Sequence, residues 1–444
     1  MTIYIGVDIG TTRTKVGAFD NKTRALVAIR AAKTAVIDDQ FGGTRDARLL
    51  VESVDRLIDD LLSDPAVTPG EICGVSVGSV GEEAVMLASD GQPTGPVLCW
   101  YASHGALAKD DIVRGNTESQ IYGLDSSFSI FKLAWLARHR PNEVAGSATW
   151  TDLADYVAWS LAGRSGRVFM NGSHASRTGV LDLVRRRLDL TNLRYVGVPD
   201  IKLPELVPSG RVVAMTAGTG ALPADVPIVA GGHDHFCGAF GAGVRTSGRA
   251  YLSAGTSEAQ LVLTAKPPMS HMPGVDVGLY VADDLYYLHR ATPSGRYFRT
   301  WRELLFPDAS DDTIWSEVEA AKTSAQPAIF SDDSTRCTFS ELGFQVSRGE
   351  LMASLMKGLA AEAERTTDRL ELEAHVSIND VVVAGVAASS QVWRDIRSAA
   401  TTRRLTFVEE PEATVLGIAM LARYGVAARR ESMATSSSCQ PPTW

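Results

Sequence analysis

The sequence contains no Gly-x-x-x-x-Gly-Lys-Ser/Thr element and no Gly-x-Gly-x-x-Gly following a strand. The two commonest glycine-rich nucleotide loops are therefore ruled out. Cysteine is scarce: Cys73, Cys99, Cys237, Cys337 and Cys439 are odd in number, far apart and never in a CxxC pair. That pattern suits reduced thiols better than a disulfide or zinc framework. No Lys/Arg-rich run of the kind that binds nucleic acid occurs and the net charge is −9, which argues against a nucleic-acid partner. A basic n-region is missing at the N-terminus, and Asp8 interrupts the first apolar stretch, so no secretory signal is expected there. No apolar window approaches the length of a membrane span. Together these absences lead to the expectation of a cytoplasmic protein with neither nucleic acid nor membrane as partner.

What is present is globular. The chain has 444 residues, 45% of them apolar, with 39 glycines and 19 prolines. That is too long for one ordinary core, and two domains of roughly 200 residues are expected. Ile3 to Ile9, Lys15 to Phe19 and Ala25 to Arg30 read as a three-strand meander. Thr44 to Ser63 carries Leu49, Val54, Leu57, Ile58, Leu61 and Leu62 at helical spacing, and Thr151 is the expected cap of a helix running to Leu161. Further helices are expected over 294–305, 312–322, 349–372 and 415–424. The Arg- and Ser-containing stretch from Ala427 to Trp444 is expected to be a disordered tail.

The chemistry centres on Ile228 to Gly243. A short apolar strand runs into Gly231 and Gly232, which are expected to turn the backbone, and delivers Asp234 ahead of a Gly-rich helix. Two readings stay open at that point: a helix-capping Asp, or a carboxylate placed for reaction. Two hairpin turns, Gly10-Thr11-Thr12 and Gly255-Thr256-Ser257, each follow a strand, one in either half of the chain. Their amides and hydroxyls make small anion nests suited to phosphate oxygens, and Asp8 stands where a carboxylate can hold magnesium. One such turn alone is an ordinary hairpin. Two of them, with Asp234 between, point to nucleotide-dependent phosphoryl transfer.

Val7-Asp-Ile-Gly-Thr-Thr-Arg-Thr-Lys15 resembles the first phosphate motif of the FGGY carbohydrate kinases, relatives of actin and the heat-shock ATPases. Gly231-Gly-His-Asp-His235 resembles the catalytic motif of that family, and Ser253-Ala-Gly-Thr-Ser-Glu258 its second phosphate motif. Tyr156, Ser173 to Thr178 and Asp182 are similar to its internal signature. Val383 to Trp393 and Glu409 to Ala419 resemble its adenosine motif and closing helix. The match runs from Thr2 to about Tyr424, in family order. The resemblance implies an α/β fold of two actin-like (ribonuclease H-like) ATPase domains around a central cleft, each with a five-stranded sheet. Residues 1–243 would form the sugar-binding domain and residues 244–426 the nucleotide-binding one. ATP and Mg²⁺ are the implied cofactors and a small sugar, ketose or polyol the implied substrate; whether the chain forms a homodimer is left open. By the same resemblance Asp234 is the general base and Asp8 holds magnesium. Thr11, Thr12, Lys15, Gly255, Thr256 and Ser257 cradle phosphates, while Gly385, Ala388 and Ser389 line the adenosine pocket.

The sugar side departs from the family pattern. Ala102 stands where many members carry the Asp of a Trp-x-Asp, in Trp100-Tyr-Ala-Ser-His104. Glu82, Trp100, Tyr101, His104 and Asn171 are the candidates for sugar contacts, together with Asp234. Ala384 and Val386 replace glycines of the adenosine motif. These departures keep a rival in view, a catalytically weak module that binds sugar or nucleotide for regulation. Gly74-Val-Ser-Val-Gly78 imitates a hydrolase nucleophile elbow, but no helix is expected after it.

Overall fold

The computed structural model describes residues 2–437 apart from 116–123, 200, 256, 269–273, 283 and 332–335; the side chains of 113–115, 386, 387 and 434–437 are also outside the description. Two compact units result. One comprises Met1–Gly241, Gly278–Asp284 and Glu412–Trp444, the other Ala242–Val277 and Leu285–Pro411.

In the first unit β1 (Ile3–Ile9), β2 (Arg13–Asp20) and β3 (Ala25–Lys33) form the expected antiparallel meander. β4 (Ile72–Ser79) joins β1 in parallel, and β6 (Pro227–His233) joins β4 in parallel, with β5 (Val212–Met215) antiparallel at the edge. The order is β5-β6-β4-β1-β2-β3. All seven residues of β1 are buried, as befits a strand covered on both faces. Ser76 lies fully buried in the middle of β4, so the elbow-like Gly74–Gly78 segment is strand throughout.

α1 (Ala47–Leu62) buries Leu50, Val54, Leu57, Ile58 and Leu61 against this sheet, capped by Asp46, which accepts from Arg48 N at 2.8 Å. Leu49, expected on that face, is exposed instead. α2 (Leu153–Leu161) is capped by Asp152, the last residue of the strand Thr149–Asp152, rather than by Thr151, whose hydroxyl donates to Phe169 O. α3 (Asp234–Gly241) follows β6 directly.

The second unit repeats the plan. β7 (Arg249–Ala254), β8 (Glu258–Thr264), β9 (Asp276–Leu279), β10 (Tyr286–Thr292), β11 (Asp380–Gly385) and β12 (Arg404–Phe407) assemble in the order β9-β10-β8-β7-β11-β12. Each sheet thus has six strands where five were expected. Five strands run in equivalent order in both units, β6-β4-β1-β2-β3 and β12-β11-β7-β8-β10, and the sixth (β5 or β9) is an edge addition, on opposite edges of the two sheets. α4 (Ser294–Leu305), α5 (Arg348–Ala374) and α6 (Gln391–Ala399) supply the apolar cover. Ser347 caps α5, its hydroxyl accepting from Glu350 N at 3.1 Å. Ser347→Ala should lower stability by about 1 kcal/mol, the usual worth of such a cap, measured by urea unfolding; an unchanged midpoint would mean that water replaces the hydroxyl at no loss.

α7 (Ala413–Ser437) returns the chain to the first unit. A Cβ at Gly417 would lie 1.8 Å from Cys237 O, and one at Gly241 would lie 2.8 Å from Gly417 Cα, so the α3–α7 crossing depends on these two glycines. Residues from 427, expected to form a disordered tail, are helical as far as Ser437. Ala427, Ala428, Arg429, Arg430 and Glu431 are good helix formers that extend a helix already nucleated on the sheet. Residues 438–444 of that expected tail lie outside the described residues.

Candidate active site

In the first unit β6 carries His233 to the sheet edge, and Asp234 opens α3. The two glycines before it are part of β6 rather than a turn. A Cβ at Gly231 would sit 1.9 Å from Val77 O and one at Gly232 2.6 Å from Ser173 Oγ, so they are required for close approach. Asp234 Oδ1 accepts from His235 N at 2.6 Å and lies 2.9 Å from His233 Nδ1. Burial pushes its pKa up, but the His233 hydrogen bond and the nearby imidazoles outweigh it, and the net shift is downward. Asp234 is thus a partly exposed, ionised carboxylate at neutral pH.

Asp8 closes β1 opposite Lys15 on β2. It is buried and its Oδ1 has no hydrogen-bond partner. Burial, then the charge of Asp234, push its pKa up to about 8, with Lys15 opposing and Glu412 adding to the rise. Lys15 is held by Glu412 Oε2 at 2.5 Å, a partner 397 positions away. An orphaned carboxylate oxygen among like charges fits a cation well. Among the described residues no three His, Cys, Asp or Glu side chains converge as a complete metal cage. A magnesium ion here would accordingly complete its shell with water and nucleotide oxygens, its ordinary habit.

The Gly-Thr turn between β1 and β2 is closed by Gly10 N donating to Arg13 O at 3.0 Å. Thr12 is exposed at its tip, and Thr11 Oγ1 receives the indole N–H of Trp100 at 2.9 Å. Trp100 and Tyr101 are both partly exposed and meet edge to face at 5.8 Å. Tyr101 keeps its proton, its pKa pushed up to about 12 by burial and by its hydrogen bond with Cys99.

Three expected sugar contacts are occupied elsewhere. Glu82, at φ 66°, is buried in an ion pair with Arg177. His104 is fully buried, its Nε2 3.1 Å from Asp39 Oδ2 and its ring edge-on to Trp135. Burial lowers its pKa against the opposing charge of Asp39, so Asp39 is the accessible group there, not His104. Asn171 is fully buried as the cap of the Gly172–Ala175 turn of helix. Its amide nitrogen donates to both Asp155 oxygens and meets His174, while its oxygen accepts from Ser173, His174 N and Ser209. That saturates the amide and corrects its expected sugar-contact role. Ala102 is likewise buried. A Cβ at Gly42 would lie 3.2 Å from Ala102 Cβ, so the loop carrying Asp39 occupies the space beside it.

Pattern reading passed over the pairs that hold these loops. Arg45 and Glu83 form a fully buried ion pair at 2.8 Å. Lys132 is buried, donates to Ser127 O, and has its pKa pushed down to about 8 by burial, with Glu82 and Glu83 opposing. His174, whose ring stacks on His233 at 6.0 Å, is driven down to about 3 by burial and then by His233, and so stays neutral. Charged residues inside otherwise apolar stretches were the only available signal for any of them.

In the second unit Gly255 N donates to Ser257 O at 2.9 Å, which closes the second Gly-Thr turn; Thr256 lies outside the described residues. Beside it opens a cavity of about 420 Å³ lined by Ala254, Gly255, Glu258, Phe298, Trp393 and Arg397, among others. Gly385, at φ 81°, abuts its rim, since a Cβ there would meet Ala254 O at 2.3 Å. Ser389 is exposed, whereas Ala388 is buried in the core and, with Gly385, is not part of the lining. Phe298 on α4 was missed because its helix gave only an amphipathic pattern.

Two sheets of equivalent strand order, each with a Gly-Thr hairpin turn, and paired carboxylates in the first define an actin-like ATPase fold equipped for phosphoryl transfer. The comparisons carry this to a family. Residues 3–241 match the N-terminal domain of the FGGY family of carbohydrate kinases and residues 250–426 its C-terminal domain. The chain belongs to that family. The L-fuculokinase of Salmonella typhi is 24% identical over 80% of this chain and 77% of its own, and the xylulose kinase of Bacillus subtilis 23% over 96% and 88%. The crystal structure of xylulose kinase from Rhodospirillum rubrum has the same fold, with a TM-score of 0.86 at 20% identity over 95% of this chain and 90% of that one. The reaction class is phosphoryl transfer from ATP to an alcohol group of a sugar or polyol.

Proposed function

We propose that Asp234 is the general base that takes the proton from the attacking hydroxyl of a small sugar, ketose or polyol, while the γ-phosphoryl group of ATP passes to that oxygen. The observation that carries this reading is an ionised, partly exposed Asp234 beside a buried Asp8 whose Oδ1 has no partner. A loose in-line transfer needs positioning, a cation, phosphate donors and one base. Thr11, Thr12 and Lys15 supply donors in the first unit, and Gly255, Thr256 and Ser257 in the second. The neighbouring cavity, with Phe298 and Trp393 in its wall, takes the nucleoside. Asp8 holds the magnesium ion, which when bound supplies charge neutralisation at the phosphates. Trp100, Tyr101 and Asp39 are the partly exposed groups on the sugar side. An inert binding module has no use for two neighbouring acids, one of them buried and unpartnered. No helix among the described residues is long and apolar enough to cross a membrane, and we place the activity in the cytoplasm.

The test is ADP release from ATP against a panel of pentuloses, hexoses, alditols, cyclitols and sugar acids. Turnover with one compound establishes the reaction. Silence across the panel together with no ATP binding by calorimetry would sink the reading. A second outcome is expected of Asp8→Asn. Above about pH 8, where the buried Asp8 carries its charge, the substitution should raise the melting temperature of the magnesium-free protein while abolishing magnesium-dependent turnover. A variant that is less stable, or that keeps its magnesium dependence, would count against the role of Asp8.

A further inference from the structure

The Trp100 side chain is tied to the phosphate turn rather than free for a sugar. Its indole N–H donates to Thr11 Oγ1 at 2.9 Å, and its backbone N–H donates to Glu83 Oε1 at 3.2 Å. Arg45 Nε donates to Glu83 Oε2 at 2.8 Å, and Arg45 Nη2 donates back to Thr11 O at 3.3 Å. Thr11, Trp100, Glu83 and Arg45 therefore close a ring of hydrogen bonds that joins the phosphate turn to the sugar-side segment Trp100–Tyr101.

The chemistry of the ring is directional. An indole N–H is a donor only, whereas a hydroxyl has one hydrogen to give and two lone pairs. Thr11 Oγ1 must accept from Trp100, and its own hydrogen is left for another acceptor. Thr11 is only partly buried, and no other side chain among the described residues takes that hydrogen. The carboxylate in the ring cannot compete for it, since Glu83 is fully buried and bonded to Arg45 and the Trp100 amide. Trp100 and Tyr101 remain partly exposed and meet edge to face.

We infer that Trp100 is a positioning residue of the phosphate turn: its indole N–H fixes the Thr11 hydroxyl as a donor toward a phosphate oxygen of the nucleotide and couples the sugar-side segment to that donor. This rests on the proposed reading that the turn at Thr11 receives nucleotide phosphate. It differs from a plain sugar-stacking role, which needs the indole faces and not its N–H.

The test is a double-mutant cycle with Trp100→Phe, which keeps an aromatic face and deletes the N–H, and Thr11→Val, which deletes the hydroxyl. With a sugar that turns over, each single variant should lower kcat roughly tenfold, as expected for one hydrogen bond to a charged group, and leave the sugar KM within about threefold. The double variant should be no worse than either single one, because both remove the same donor. Thr11→Ser, which retains the hydroxyl, should keep kcat within about twofold. Losses that multiply, or a Trp100→Phe variant with raised sugar KM and unchanged kcat, would overturn the inference. If no sugar in the panel turns over, the kinase reading fails separately, and the cycle is then read as the calorimetric Kd for Mg·ATP. Equal, non-additive weakening supports the coupling, and a Kd unchanged by Trp100→Phe refutes it. Should Trp100→Phe fail to fold, Thr11→Val against Thr11→Ser still decides: equal nucleotide affinity in the two overturns the inference.

Discussion

Asp234→Asn should lower turnover by a factor on the order of 10² to 10⁴, the range over which a positioned general base acts. ATP affinity should stay within about twofold. The substitution is close to isosteric. An amide oxygen at Oδ1 still accepts from His235 N and from His233, so the β6–α3 junction keeps its geometry and only the proton-accepting charge is lost. The sign of the pKa shift makes the prediction specific. Asp234 is held below the ordinary carboxylate range despite burial, so the base is already ionised at neutral pH and the acid limb of kcat/KM should lie low. The same substitution removes the second-largest influence raising Asp8, whose pKa should fall from about 8. Turnover that survives in Asp234→Asn would transfer the base role to another group and end this assignment.

How much of this was open to a reader of the sequence depends on distance along the chain. The meander of β1 to β3 and the strand-to-helix step at Asp234 are local patterns, and they stand where periodicity and Gly-Thr turns place them. Asn171 and His104 misled because polarity in a loop-like stretch says nothing of burial. Both are fully enclosed, and the groups that enclose them, Asp155 and Asp39, lie 16 and 65 positions away. Lys15 with Glu412 joins the two ends of the chain, and Gly241 packs on Gly417 from mid-chain, so no window could show either. The helical cap moved by one residue, from Thr151 to Asp152, for a related reason: the Thr151 hydroxyl is taken by Phe169 O, while the carboxylate of Asp152, the last residue of the strand, is left to accept from Ala154 N.

The second large effect concerns the ion pair within the ring of hydrogen bonds that includes Thr11 and Trp100. Arg45 and Glu83 are both essentially unexposed and meet at 2.8 Å. Taking two charges out of water is costly, and such a pair is poor evidence of net stabilisation; removing one member, however, strands the other. Arg45→Met should therefore destabilise the protein by about 3–5 kcal/mol, far more than the usual single substitution. Replacing both residues, as Arg45→Met with Glu83→Leu, should recover most of that loss, since no buried charge remains. The pH dependence follows from the direction of the shift. Burial already raises the Glu83 carboxyl above its ordinary range, with Arg45 opposing. Without Arg45 it rises further, so the folded variant binds this proton more tightly than the unfolded chain does. A group of that kind contributes its stability below its unfolded pKa, about 4.3 for Glu, and loses it as pH climbs toward the folded value. Arg45→Met should thus lie closer to wild type at pH 5 than at pH 8 in urea unfolding. A deficit equal at both pH values would mean that Glu83 escapes to water when Arg45 is lost. Arg45→Met removes its own links to Thr11 and Glu83 in either case; with Glu83 in water the Glu83–Trp100 link would be lost as well, and kcat should fall with that of Trp100→Phe.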